Sequence, residues 1–181
     1  MTAAPADSPP AKRPVQENAE NPYIGLARAH RIAAAVVDPE IPVLTLEDLG
    51  VLRGVEWRQG QLVVKITPTY SGCPATQAIQ LAVQTALAKG GLPDARVETV
   101  LSPPWTTDQI TASGRRKLQS FGIAPPAGKK SIRAMFGEET VACPKCGSTE
   151  TRRISEFGST ACKALWKCES CAEPFDYFKC L

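Results

Sequence analysis

The chain has 181 residues, a net charge of +3 and 43% hydrophobic residues, enough for one ordinary domain and a small module. Its 21 basic residues form no long basic tract, and three Trp, three Tyr and five Phe make no stacking platform, so a nucleic-acid partner is not expected. No stretch approaches the roughly 18 apolar residues of a membrane span, and residues 1–20 hold no apolar run resembling a secretory signal.

Residues 1–21 contain four prolines and almost no large apolar side chain, which predicts a disordered tail. Asn21-Pro22 is a helix start, with a capping residue followed by proline at the first helical position. The apolar positions Ala29, Ile32, Ala33 and Val36 continue that helix, which must stop before Asp38-Pro39. A rigid extended turn, Asp38-Pro-Glu-Ile-Pro42, leads into Leu44–Gly50. Residues 51–57 and 62–67, joined through Gln59-Gly60, read as a hairpin. Ala75, Ala78, Ile79, Ala82, Val83, Ala86 and Leu87 fit a helical template that Gly90-Gly91 ends. Residues 95–101 read as a third strand. Thr106 with Gln109 matches a capping box, and Trp105 with Ile110 a hydrophobic staple, for a helix running to Phe121-Gly122. The order predicts an α+β domain over residues 22–123, with a small mixed sheet covered by helices. A Pro-Pro-Gly-Lys break over 124–140 then precedes a module spanning 141–181.

Six of the seven cysteines lie in the last 39 residues. Four of them form two C-x-x-C turns, Cys143/Cys146 and Cys168/Cys171, with 21 residues between the pairs. Each turn aims two sulfurs at one centre, and two turns complete a tetrahedral thiolate site, the pattern of structural zinc. Pro144 stiffens the first turn, and Gly147 permits the positive φ that brings backbone N–H groups toward the sulfurs. Lys145, Lys163, Lys167 and Lys179 are close in sequence and could offset the charge of a zinc tetrathiolate. A disulfide framework is the competing reading. The odd cysteine count and the lack of a secretory signal favour reduced thiols in a cytoplasmic protein. Residues 141–181 are too few to build a core, so metal must supply the stability, at about 10–16 kcal/mol of apparent binding for structural zinc. Strands are expected at 149–155, 164–167 and 175–178, with Trp166, Phe175, Tyr177 and Phe178 forming a small apolar patch.

Cys73 is the one cysteine of the main domain. If Pro74 takes the first helical position, Cys73 becomes the N-cap, where the helix end lowers its pKa and raises its reactivity. The bland alternative is a small cap or buried filler. Asp38 and Glu40 are paired carboxylates, though an Asp-Pro-Glu turn is more often structural. His30 sits between Arg28 and Arg31 on a helix and reads as exposed or packing. Arg115-Arg116-Lys117 and Arg152-Arg153 read as solvated faces. Cys162 and Cys180 have no C-x-x-C partner and read as ordinary thiols, or else as a docking or exchangeable pair. The chain has no Gly-rich phosphate loop, nucleophile elbow or H-E-x-x-H helix.

Asp38-Pro-Glu-Ile-Pro42, Asp48-Leu-Gly50 and Tyr70-Ser-Gly-Cys-Pro74 resemble the metal–sulfur cluster assembly factor family. The stretches Ser102-Pro-Pro-Trp-Thr106, Gly114-Arg-Arg-Lys-Leu118 and Gly122-Ile-Ala-Pro-Pro126, with the cysteine module, narrow the resemblance. They are similar to the D-subunit family of the phenylacetyl-CoA epoxidase systems of aerobic phenylacetate catabolism. The resemblance covers residues 24–181. It implies an accessory protein without catalytic residues that assists iron or iron–sulfur cluster insertion into reductase or oxygenase subunits as clients. It also implies that Cys73, with Asp38 and Glu40, handles that cargo. A single thiol offers one bond per chain, so a homodimer or a client would have to complete such a site. Two other functions compete. A rubredoxin-like electron carrier would hold iron in the same four-cysteine geometry, and a scaffold subunit would dock partners through Trp105 and the cysteine module, which these strands and turns predict to be a zinc ribbon.

Overall fold

The computed structural model describes residues 22–126 and 140–179. The expected tail, residues 127–139 of the expected linker and Cys180 lie outside the described residues. Helix α1 spans Pro22–Ala34 and buries Ala29 and Ala33 completely. A short helix α2, Leu46–Leu49, follows the Asp-Pro-Glu turn, and Thr45 and Asp48 close a reciprocal capping box around its first turn. Strands β1 (Leu52–Arg58) and β2 (Gln61–Ile66) form the expected hairpin. Gln59 and Gly60 both take positive φ at its tip, as a tight primed turn requires. Helix α3 (Thr76–Lys89) then crosses back, so that β3 (Arg96–Thr99) joins β2 in parallel. The resulting sheet has the order β1-β2-β3. Ile79, Val83 and Leu87, spaced four apart on α3, are buried in the same cluster as Val64, Ile66 and the alanines of α1.

The last helix of the main domain starts later than the capping-box pattern predicts. Thr107–Gln109 is a single 3₁₀ turn, and α4 is Ala112–Ser120. The Thr106 hydroxyl makes no cap bond, whereas Thr111 accepts from the Gly114 N–H at 2.9 Å. The cause is packing: α4 lies against α2 so closely that a Cβ on Gly114 would stand 2.7 Å from the Asp48 carbonyl oxygen. Gly50, at φ +68°, ends α2 in the left-handed region, and a Cβ there would run into the Gln109 carbonyl oxygen. Lys117 pairs with Asp48, and Arg115 donates to the carbonyls of Thr107 and Pro126. Arg115 and Lys117 are therefore structural side chains and not a solvated face. Arg152 and Arg153 do pair at the surface, with Glu169 and Glu156.

The cysteine module is a second sheet in the order β4-β7-β6-β5. Strands β5 (Thr151–Ser155), β6 (Lys163–Cys168) and β7 (Pro174–Phe178) are antiparallel neighbours where the sequence predicts strands. The fourth strand is β4, Ile123–Ala124, which arrives straight from α4 and pairs in parallel with Asp176 and Tyr177. The break at 124–140 thus divides the sequence without dividing the packing. Trp166, Phe175 and Tyr177 form the ribbon's own apolar cluster, with Trp166 and Tyr177 edge to face at 5.8 Å. Phe178, expected in that patch, faces the other way. It is fully buried with Cys162 in the main-domain core, its ring 6.0 Å from that of Trp105.

Candidate functional site

The four cysteines of the two C-x-x-C turns converge, and their sulfur atoms all lie within 4.8 Å of one another. Cys143 and Cys171 are 3.8 Å apart, and Cys146 and Cys168 3.6 Å apart. A tetrahedron with metal–sulfur bonds of about 2.3 Å has edges of about 3.8 Å, which these two separations match, so the donor set fits a zinc ion. Gly147 takes φ +77°, as its place in the first knuckle requires, and its N–H donates to the Cys143 carbonyl. The Cys171 backbone N–H is the largest influence holding the Cys168 thiol down, to about 7. Of the four lysines expected to offset the charge, Lys145 lies beside Cys143 and Cys171 and pairs with Glu173. Lys163 does not serve the tetrathiolate. It is buried, 3.7 Å from Asp176, and its charge acts on Asp38, Glu40 and Cys162. Lys179 donates to the Glu156 carbonyl and lies over the Phe157 ring.

The second cluster forms where the main domain meets the ribbon. A small cavity of about 20 Å³ is lined by Asp38, Glu40, Cys73 and Cys162, with an apolar floor that includes Ile41, Ile79 and Phe178. Asp38 is held by its own turn: its Oδ1 accepts the backbone N–H groups of Glu40 and Ile41, each at 2.8 Å. That arrangement explains the Asp-Pro-Glu-Ile sequence, because the carboxylate folds the turn that presents Glu40 to the cavity. Burial raises the pKa of both carboxyls, and the Asp38 charge adds to the effect on Glu40.

Cys73 does not cap α3. The helix begins at Thr76 with Ala75 as its cap residue, and Cys73 stands in the preceding turn, its N–H bonded to the Tyr70 carbonyl. Its carbonyl takes both the N–H and the hydroxyl of Thr76, at 3.2 and 2.8 Å. The expected depression of its pKa is also reversed. Burial pushes the Cys73 thiol up, and Glu40 and Asp38 push further; the Ala75 N–H opposes them without winning. Cys73 is half-buried and lines two spaces, the inner cavity and an open groove of about 670 Å³ shared with Ser71, Gly72, Pro74 and Leu101.

Sequence reasoning missed Cys162 and Lys163 at this site. Cys162 is 5% exposed, its sulfur 3.1 Å from the Thr160 hydroxyl, and burial raises its pKa. The only hint in the sequence was that it is left over once the quartet is assigned. His30 is exposed on α1, as expected. Trp105 is buried, and its indole N–H donates to the Leu49 carbonyl at 2.8 Å, so it offers no docking surface. Among the described residues, no helix is long and apolar enough to cross a membrane.

Residues 34–102 match the family described as iron–sulfur cluster assembly protein, and residues 127–179 match the PaaD zinc beta ribbon domain. The protein is thus an iron–sulfur assembly-type domain carrying a four-cysteine metal-binding ribbon. One Escherichia coli (strain K12) protein, whose name makes it the D-subunit of a "Putative 1,2-phenylacetyl-CoA epoxidase", is 50% identical over 150 residues, which is 83% of this chain and 90% of that protein. The chain belongs to that epoxidase D-subunit family. Two solved structures are similar to this chain over about half of its length. A domain of unknown function from Bacillus anthracis is 24% identical with a TM-score of 0.47, covering 53% of this chain and 92% of its own. A conserved hypothetical protein from Thermotoga maritima is 26% identical with a TM-score of 0.43, covering 51% and 91%.

Proposed function

We propose that this protein is a cytoplasmic accessory subunit, not itself catalytic, that assists insertion of iron or an iron–sulfur cluster into the reductase or oxygenase subunits of a phenylacetyl-CoA epoxidase. In this reading Cys73 is the cargo ligand, assisted by Glu40 and Asp38, and the ribbon zinc is structural. The observation that carries it is the position of Cys73, in a domain of the iron–sulfur assembly family. It faces two carboxylates on one side and an open groove on the other. A soft thiolate with carboxylate neighbours suits iron, and access from the groove suits release.

The chain's own residues divide the work. The Asp38 turn positions Glu40, the Tyr70–Cys73 turn positions the thiol, and the ribbon closes part of the cavity wall with Cys162 and Phe178. The zinc-ribbon match supports a closed-shell ion at the quartet and counts against a rubredoxin-like carrier, since zinc does not transfer electrons. The test is maturation of the epoxidase produced together with wild-type protein or with Cys73→Ala. Epoxidase activity and iron content per client subunit should fall at least tenfold with the variant. Equal iron and activity would remove Cys73 from the function.

A further inference from the structure

The main domain contributes one sulfur to its cargo site, and a thiolate alone makes one bond. The fold changes that count. Strand β6 begins at Lys163, and the residue before it, Cys162, is carried by the ribbon into the main-domain core, where it lines the same cavity as Cys73, Glu40 and Asp38. Two cysteines 89 positions apart in sequence thus face one space together with two carboxyl groups.

We propose that Cys73 and Cys162, with Glu40 and Asp38 as oxygen donors, form a binding site for one ferrous-type divalent ion at the seam of a single chain. The proposal rests on the cargo role of Cys73 and adds the second sulfur, the ligand set and the stoichiometry. It also removes the need for a second copy of the chain to complete the site.

Three features of the cavity define what it takes. Its volume of about 20 Å³ holds one water-sized body, room for a single ion. Its donors are mixed, two sulfur and two oxygen, a set that suits iron or zinc and is too soft for magnesium or calcium. Among the described residues, only the ribbon quartet brings three or more candidate donors within 4.8 Å of one another. The seam donors must therefore rotate onto an ion, and that reorganisation makes binding weaker than in the preformed quartet. Lys163 is buried and its charge acts on both carboxyls, which disfavours a tightly held cation. A loosely held ion next to an open groove is what transfer to a client requires.

The test uses the full-length protein, anaerobic and carrying one zinc per chain. Ferrous iron is added to wild type, and iron-edge X-ray absorption counts the sulfur neighbours. Two sulfurs with oxygen neighbours, at one iron per monomeric chain, are expected. One sulfur, or four from exchange into the ribbon, or an iron-linked dimer, would overturn the proposal. Cobalt(II) titration adds the variants. Cys162→Ser should lose about half of the sulfur-to-cobalt charge-transfer band and bind at least tenfold more weakly, and Cys73→Ser should do the same. Because the iron measurement uses wild type, it decides the matter even if Cys162→Ser fails to fold. If Cys73→Ala blocks epoxidase maturation while wild type shows a single sulfur on iron, the cargo role stands and the two-sulfur site falls. If maturation is normal with Cys73→Ala, the cargo role itself fails, whatever the sulfur count.

Discussion

The molecule holds two sulfur clusters that differ in how completely the fold prepares them. In the ribbon, four cysteines come from two short turns, and backbone N–H groups and Gly147 set their geometry locally. At the seam, Cys73, Cys162, Glu40 and Asp38 come from three separate segments, and only packing between the main domain and the ribbon brings them together. A site written in local turns can be closed and tight, whereas one assembled across an interface depends on everything that holds the interface. On the proposed reading, this contrast would let one chain hold one metal for stability and offer a second, looser place for cargo.

The largest expected effect comes from breaking the ribbon site. Cys168→Ser, or removal of zinc by a strong chelator, should unfold residues 141–179, since about 10–16 kcal/mol of apparent metal binding is lost with the site. Because β4 and Phe178 tie the ribbon to the main domain, the seam should open too. Zinc analysis, near-ultraviolet circular dichroism and alkylation of Cys73 would follow both steps. A ribbon that stayed folded without zinc would break the comparison.

The seam can be opened more gently. Phe178→Ala removes a fully buried ring that contacts Trp105 and should cost about 3–5 kcal/mol. Zinc content should stay at one per chain while Cys73 and Cys162 alkylate faster. If zinc were lost as readily as the seam contacts, the two clusters would not be separable.

Smaller effects probe the support beneath the seam. Gly114→Ala places a Cβ against the Asp48 carbonyl and should cost about 1–3 kcal/mol in denaturant unfolding, despite the usual preference of helices for alanine. Asp48→Asn should cost about 1 kcal/mol, modest because its partner Lys117 is 41% exposed and screened. Burial acts to raise the Asp48 pKa, but the bonds from Lys117 and Thr45 outweigh it and hold the carboxyl below its ordinary range. With the folded pKa below the unfolded one, its stabilisation is complete above about pH 4 and disappears as pH falls through the folded value. The wild-type and Asp48→Asn stability curves should therefore converge in acid, and a constant gap down to about pH 2 would contradict the assignment.

Much of this was legible from residue order, and the parts that were not share a cause. The hairpin at Gln59-Gly60, the helix through Ile79, Val83 and Leu87, and the ribbon strands are local patterns, and they formed where periodicity and turn chemistry put them. The helix at Thr106 shifted because its neighbour α2 decided where a turn could sit, and a capping pattern carries no information about that neighbour. Cys73 moved from a cap to a half-buried turn, and its pKa reversed direction, because desolvation and the charges of residues 33 and 35 positions away outweighed the helix end.

Spacing of two residues within a turn was enough for the chain alone to determine each pair of the cysteine quartet, because so short a loop leaves its sulfurs few places to go. It likewise determined the hydrophobic faces and the acidic turn, each the work of neighbours along the backbone. That Ile123–Ala124 would join the ribbon sheet, that Phe178 would leave the ribbon's cluster for the main-domain core, and that Cys162 would arrive beside Cys73 were decided by tertiary packing. Burial of apolar surface has no direction and no memory of sequence distance, so which distant groups it brings together becomes visible only in the folded molecule.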